Sequence, residues 1–353
     1  MKRLLFFWLL LSVLAVVGCS DDDEAVLAPA PAPDNTATST WNATGGFWVS
    51  QVDASSHDNF MGFSFATQDT TVSGVPKGMA ASWDIALKRE AIKLNGGASS
   101  NNQGDVEGCD LGEVAFADVT IDDTAGVTWS SDAIDFFINN WYDYDPQSHQ
   151  LSANGNVWSM VDAEGDNFIK FRIDSMVGAA MPPDMGTVHM TYFYQATADS
   201  RDLSGATSEV TIPVGAVKTY FDFSTGATVT PADPMNSTAW DIAFYAYDIS
   251  QNSGPNGTGN CAAFPAYDEL TLATDIDGFT SQPQSPMFAD IFASVMTDWY
   301  NYTGPPLHQL LSKDHVYLIR TGGLVYKLEI VSYYANIGGV PTSGWYTFNW
   351  VEL

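Results

Sequence analysis

At 353 residues, with 13 basic and 42 acidic side chains, the chain carries a formal net charge of −29 at pH 7. That balance excludes nucleic acid as a partner, and it excludes attachment to anionic lipid through a basic patch, because the summed field repels both. With 45% apolar and 13% aromatic residues, the composition is that of a folded protein, long enough for two modest cores in place of one.

In chain order, Met1-Lys2-Arg3 is followed by an apolar stretch from Leu4 to Val17 and then by Gly18-Cys19. This charged, apolar, small-residue order predicts a secretory signal over residues 1–18. The apolar stretch is shorter than the roughly 20 residues a spanning helix needs. Val16-Val17-Gly18-Cys19 resembles the lipobox of bacterial lipoproteins. The expectation is cleavage ahead of Cys19 and lipidation of its thiol, each buried acyl CH₂ holding the membrane by roughly 0.8 kcal/mol. Ser20-Asp21-Asp22-Asp23-Glu24 resembles a surface-export signal of some Gram-negative lipoproteins; a solvated spacer is the alternative. Alternating Ala and Pro then make residues 19–39 a disordered tether, which at about 3.1 Å per residue reaches some 40 Å from a bilayer.

Beyond the tether the chain repeats itself. Ser82-Trp83-Asp84-Ile85-Ala86-Leu87 returns as Ala239-Trp240-Asp241-Ile242-Ala243-Phe244, each preceded by an aromatic alternation, Phe63-Ser64-Phe65 or Phe221-Asp222-Phe223. Asn95-Gly96-Gly97 and Asn252-Ser253-Gly254 follow as turns. Trp141-Tyr142-Asp143-Tyr144 and His149-Gln150-Leu151 recur as Trp299-Tyr300-Asn301-Tyr302 and His308-Gln309-Leu310. A constant order with little drift is a duplication, and it divides the chain into residues 40–198 and 199–353.

Each repeat reads as strands. Phe168–Ile173, Val316–Ile319 and Val325–Ile330 are short apolar or alternating segments bounded by turn residues. Thr321-Gly322-Gly323-Leu324 predicts a two-residue hairpin. One short helix per repeat is expected: Ala133–Asn140 capped by Ser131-Asp132, and Met287–Asp298 started by Ser285-Pro286, with Phe288, Ile291, Phe292, Val295 and Met296 on one face. Apart from Cys19 only Cys109 and Cys261 remain, one per repeat, so either a bridge between repeats or two independent thiols is open.

Catalytic motifs are missing from the sequence: it has no G-x-S-x-G, H-E-x-x-H, P-loop or dinucleotide fingerprint, and a non-enzymatic protein is expected. Gly254-Pro255-Asn256-Gly257-Thr258-Gly259 reads as a turn. Asp275-Ile276-Asp277-Gly278 and the acids of Asp118–Asp123 do not match the calcium-loop pattern and read as surface acids. Of five histidines, His149 and His308 occupy matching places just after the aromatic blocks. An imidazole there suits an axial iron ligand beside rings that pack on a porphyrin; the other reading is a hairpin-holding hydrogen bond. Met181, Met185 and His189 cluster in the first repeat alone and are further candidate ligands, or core-filling side chains.

The Trp-Asp-Ile-Ala strands, the Trp-Tyr-x-Tyr blocks and the closing stretch from Asp314 to Tyr334 resemble the HmuY family of haem-binding lipoproteins. The resemblance covers most of the second repeat and, less closely, the first, where Val161-Asp162-Ala163-Glu164-Gly165-Asp166 replaces the Arg-Thr-Gly-Gly hairpin. It implies an all-β protein of two tandem domains that binds haem, taken from haemoproteins, and passes it to an outer-membrane receptor. It also implies an outer-membrane lipoprotein exposed at the cell surface. The alternative is a surface lipoprotein that binds a protein or glycan without haem.

Overall fold

The strand from His315 to Thr321 shows how the chain builds its layers. Tyr317 and Ile319 enter one apolar cluster while Val316 and Leu318 enter another on the opposite face, as the period of two requires of a strand covered on both sides. The structure is a computed structural model that describes residues 37–73, 83–100, 102–148, 150–178, 186–268 and 271–353. The signal, Cys19 and nearly all of the tether lie outside the described residues.

Antiparallel sheets account for the regular structure. The larger of two main sheets runs in the order Thr38–Asn42, Phe47–Asp53, Val340–Glu352, Leu324–Ile337, His315–Thr321, Glu107–Glu113. The second runs Ser208–Pro213, Thr187–Tyr194, Phe168–Val177, Val157–Val161, Ala262–Pro265. Each packs on a four-stranded sheet. Met61–Ser64 and Ile85–Lys88 bring Phe63, Phe65, Ile85 and Leu87 against Tyr326, Leu328, Phe348 and Trp350. Thr219–Asp222 and Ile242–Tyr245 bring Phe221, Ile242 and Phe244 against Trp158, Met160, Ile169 and Phe171.

Apart from the extra edge strand Thr38–Asn42 the two lobes have the same strand order, but they do not follow the division at residue 198. The first large sheet joins strands from residues 38–113 to strands from residues 315–352, whereas the second is made of strands between residues 157 and 265. Each lobe therefore combines the first half of one repeat with the second half of the other. The sequence repeat and the packed lobe are different units: the edge strand Glu107–Glu113 of the first repeat takes His315–Thr321 of the second as its partner.

The two predicted helices are absent, and the chain crosses between lobes where they were expected. Ala133–Asp135 pairs antiparallel with Ile291–Ala293, and both flanking carboxylates are buried and committed elsewhere. Asp132 accepts from the Leu94 N–H at 2.8 Å and the Ser99 hydroxyl at 2.6 Å. Asp290 accepts from the N–H groups of Phe137 and Gln251. With Asp132 used to bind another segment the first stretch has no free helix cap, and Asp290, inside the second, is likewise spent on other segments. Phe288 and Ile291 are half exposed while Met296 is fully buried, so the apparent helical stripe has no common face. Short 3-10 turns, such as Gly97–Ser100 and Phe116–Asp118, are the helical elements among the described residues.

The hairpin expectation holds. Thr321 pairs with Leu324 across Gly322 and Gly323, whose φ values of 55° and 84° are those of a type I′ hairpin. Cys109 and Cys261 are both free thiols, Cys261 buried with its Sγ 3.3 Å from the Asp241 carbonyl. The aspartate-rich stretches are tied down by lysine: Lys327 donates to the carbonyls of Phe116 and Val119, both at 2.7 Å, and Lys170 to those of Ile276 and Phe279. Among the described residues no group of three His, Cys, Asp or Glu side chains is placed to hold a metal, and no helix is long and apolar enough to cross a membrane.

Candidate functional site

The Trp-Tyr-x-Tyr block of the second repeat forms the floor of a cavity in the first lobe. Trp299 is 1% exposed, lies edge-on to Tyr300 with centroids 4.9 Å apart, and is tilted against Tyr333 and Tyr346 at 5.6 and 5.2 Å. Its indole N–H donates to the Glu90 carbonyl at 2.9 Å. Packing of this kind fixes ring positions within a rotamer well, so the aromatic wall is set before any ligand arrives.

Above this floor lies an open cavity of ≈ 400 Å³, within the range of small-ligand sites. Tyr300, Tyr302, His308, Leu310, Tyr333, Tyr334 and Ser343 line it from the second repeat, and Arg89 and Glu90 from the first. The hydroxyl of Tyr302 is hydrogen-bonded to His308 Nδ1, with the rings 5.8 Å apart. Such a bond orients an imidazole and leaves Nε2 as its other donor or acceptor. The His308 N–H donates to the Gly304 carbonyl at 2.9 Å, and the backbone turns at φ 49°. The Leu310 N–H donates to the Tyr334 hydroxyl at 2.9 Å.

Tyr333 is 3% exposed, yet its hydroxyl has no hydrogen-bond partner among the described residues. Burial pushes its phenol up to about 12, which keeps it protonated at neutral pH and therefore a donor. A buried hydroxyl without a partner costs about 1–3 kcal/mol.

The predicted site residues fare differently. His308 lies in the cavity. His149, Met181 and Met185 lie outside the described residues. His189 is on the Thr187–Tyr194 strand, 3.2 Å from the Thr211 hydroxyl and paired opposite Ser175, away from the Tyr142 ring that matches Tyr300. In the second lobe Trp141 donates to the Tyr247 carbonyl at 3.0 Å, and Tyr142 meets Tyr247 edge-on at 5.7 Å. The wall is thus duplicated, while the residues on the opposing turn differ. Sequence reasoning missed Arg89, Glu90 and Tyr333; aligning Lys88-Arg89-Glu90-Ala91 with Tyr245-Ala246-Tyr247-Asp248 exposes the difference at the turn.

Comparison with known proteins decides the family. The profile of the HmuY protein family matches residues 56–194 and again residues 216–350. The chain belongs to the HmuY family. Two tandem matches agree with the duplication and with the all-β architecture, and membership makes this HmuY-family chain a candidate haem-binding, surface-associated protein. No curated protein matches the sequence. The matched segments end inside both lobes, so each HmuY match contributes one half to each packed lobe.

Proposed function

We propose that the chain is a non-catalytic, lipid-anchored haem-binding protein that takes haem from haemoproteins and passes it to an outer-membrane uptake receptor. One observation carries this reading. The Trp-Tyr-x-Tyr block that recurs in both repeats borders a cavity in which His308, oriented by Tyr302, shares the lining with the rings of Tyr300, Tyr333 and Tyr334. The donor set fits the ligand: an imidazole suits iron, tyrosine rings suit a porphyrin face, and hydroxyl donors suit its carboxylates. Haem would supply the iron and the planar aromatic surface; the protein would bind, orient and release it. His149 is the corresponding candidate in the sequence of the first repeat.

Addition of haem to a form beginning at residue 25 is expected to give a saturable Soret band at micromolar concentration, and the absence of one would refute the proposal. Attachment through Cys19 supports it by keeping the cavities near a membrane receptor, the Pro- and Ala-rich segment serving as stalk. Cys19→Ser should release the protein from the membrane fraction without changing the Soret titration. A second reading, capture of a protein or glycan, is favoured by the exposed rings of Tyr144, Tyr267 and Tyr302. A surface partner recovered equally by haem-free and haem-loaded protein would favour it.

A further inference from the structure

We propose that Arg89 is the anion-recognising residue of the His308 cavity, delivered there by the exchange of halves between the repeats, and that the cavity selects planar aromatic ligands bearing a free carboxylate. The inference rests on the haem reading above and narrows it.

Arg89 is the first residue of the two-residue turn between Ile85–Lys88 and Ala91–Leu94, where Lys88 pairs with Ala91. Its φ is 48°, a left-handed conformation that suits glycine or asparagine better than a long branched cation. The turn is held firmly. The Arg89 N–H donates to the Ala54 carbonyl at 2.7 Å, and the Tyr346 hydroxyl donates to the Arg89 carbonyl at 2.7 Å. An arginine kept at such a position points to a role for its side chain.

The guanidinium lies over the Tyr333 ring, 5.9 Å from its centroid, and Nη2 donates to the Ser343 hydroxyl at 3.2 Å. Among the described residues no carboxylate pairs with it, including Glu90 on the same turn. In a chain with 42 acidic residues that absence is informative, since its field repels anions at long range and only a local, unpaired cation holds one. Guanidinium binds carboxylate through two parallel hydrogen bonds, while the tyrosine rings beside it accept a planar face.

The exchange decides which turn reaches this cavity. In the second repeat the same turn carries Ala246, at φ 54°, and then Tyr247, and it faces the first repeat's Trp141. Had each repeat folded on itself, the His308 cavity would hold Ala246 and no cation.

The test uses the full chain and two probes, iron protoporphyrin IX and its dimethyl ester, followed by Soret titration. Wild type is expected to bind the free acid at least about 10-fold more tightly than the ester, a difference of about 1.4 kcal/mol. Arg89→Ala should lose that preference, and Arg89→Lys should keep part of it. Equal affinity of wild type for acid and ester, or a preference that survives in Arg89→Ala, overturns the assignment while leaving haem binding intact. Failure of wild type to bind either porphyrin overturns the haem reading and the assignment together.

Discussion

The indole N–H of Trp299 donates to the carbonyl of Glu90, 2.9 Å away across 209 residues of chain. The same contact is made between Trp141 and Tyr247 at 3.0 Å, so the tryptophan of each repeat's Trp-Tyr-x-Tyr block is bonded to the turn of the other repeat. The aspartate of the Trp-Asp-Ile-Ala strand behaves alike. Asp84 accepts from the Thr321 hydroxyl at 2.9 Å, and Asp241 from the Ala163 N–H at 2.8 Å. Reciprocity at four contacts shows that the exchange of halves is built into both lobes.

Disulfide trapping tests that exchange. Arg320 and Glu107 face each other across neighbouring strands and form an ion pair. In a Cys109→Ser background, Glu107→Cys with Arg320→Cys should cross-link on oxidation, as read by peptide mass mapping. Glu107→Cys with Val161→Cys, the pair expected if the first repeat folded on itself, should not.

Lys327 places its ammonium under the loop of Phe116 and Val119, 7% exposed and bonded to two carbonyls. Lys327→Met keeps the apolar stem but leaves two buried acceptors without a donor, a loss of roughly 1–3 kcal/mol per group. A lower denaturant midpoint with an unchanged slope is expected, together with faster hydrogen exchange at residues 116–119. An unaltered midpoint would show that the loop is held by other contacts.

Buried carboxylates give stability a definite pH dependence. Burial, the main cause, pushes Asp241 from 3.8 to about 7 and Asp132 from 3.8 to about 6; hydrogen bonds to the Phe223 and Ala163 N–H groups pull Asp241 the other way. A carboxyl whose folded value is raised binds its proton more tightly when native. Its stabilising effect is therefore complete below about 4 and lost as pH rises through 6 for Asp132 and 7 for Asp241. Urea melts should show stability from these groups falling between about pH 4 and pH 7. Asp241→Asn, which cannot titrate, should flatten that slope while lowering stability by about 1–3 kcal/mol at pH 5, where one N–H loses its acceptor. An equal slope in both proteins would contradict the assignment.

Much of this was legible in the residues. Alternation marked the strands, Gly322-Gly323 marked the hairpin, and the Trp-Tyr-x-Tyr block with His308 marked the cavity. The first helix was misread because Asp132 looks like a cap but is spent on another strand, and the second because Phe288, Ile291 and Met296 share no buried face. The exchange was invisible for a different reason. Both repeats bury nearly the same pattern, so local periodicity is satisfied whichever half pairs with which, and only specific partners such as Asp84 and Thr321 decide. Arg89 escaped notice because its importance depends on that pairing.

Haem titration of the full chain and its His308→Ala variant tests the central claim most directly. His308 is exposed, and its replacement should move the melting curve by no more than about 0.5 kcal/mol. Wild type is expected to give a saturable Soret band at micromolar haem, and His308→Ala a shifted band with weakened binding. No band in wild type, or identical spectra and affinities in the two proteins, would contradict the account.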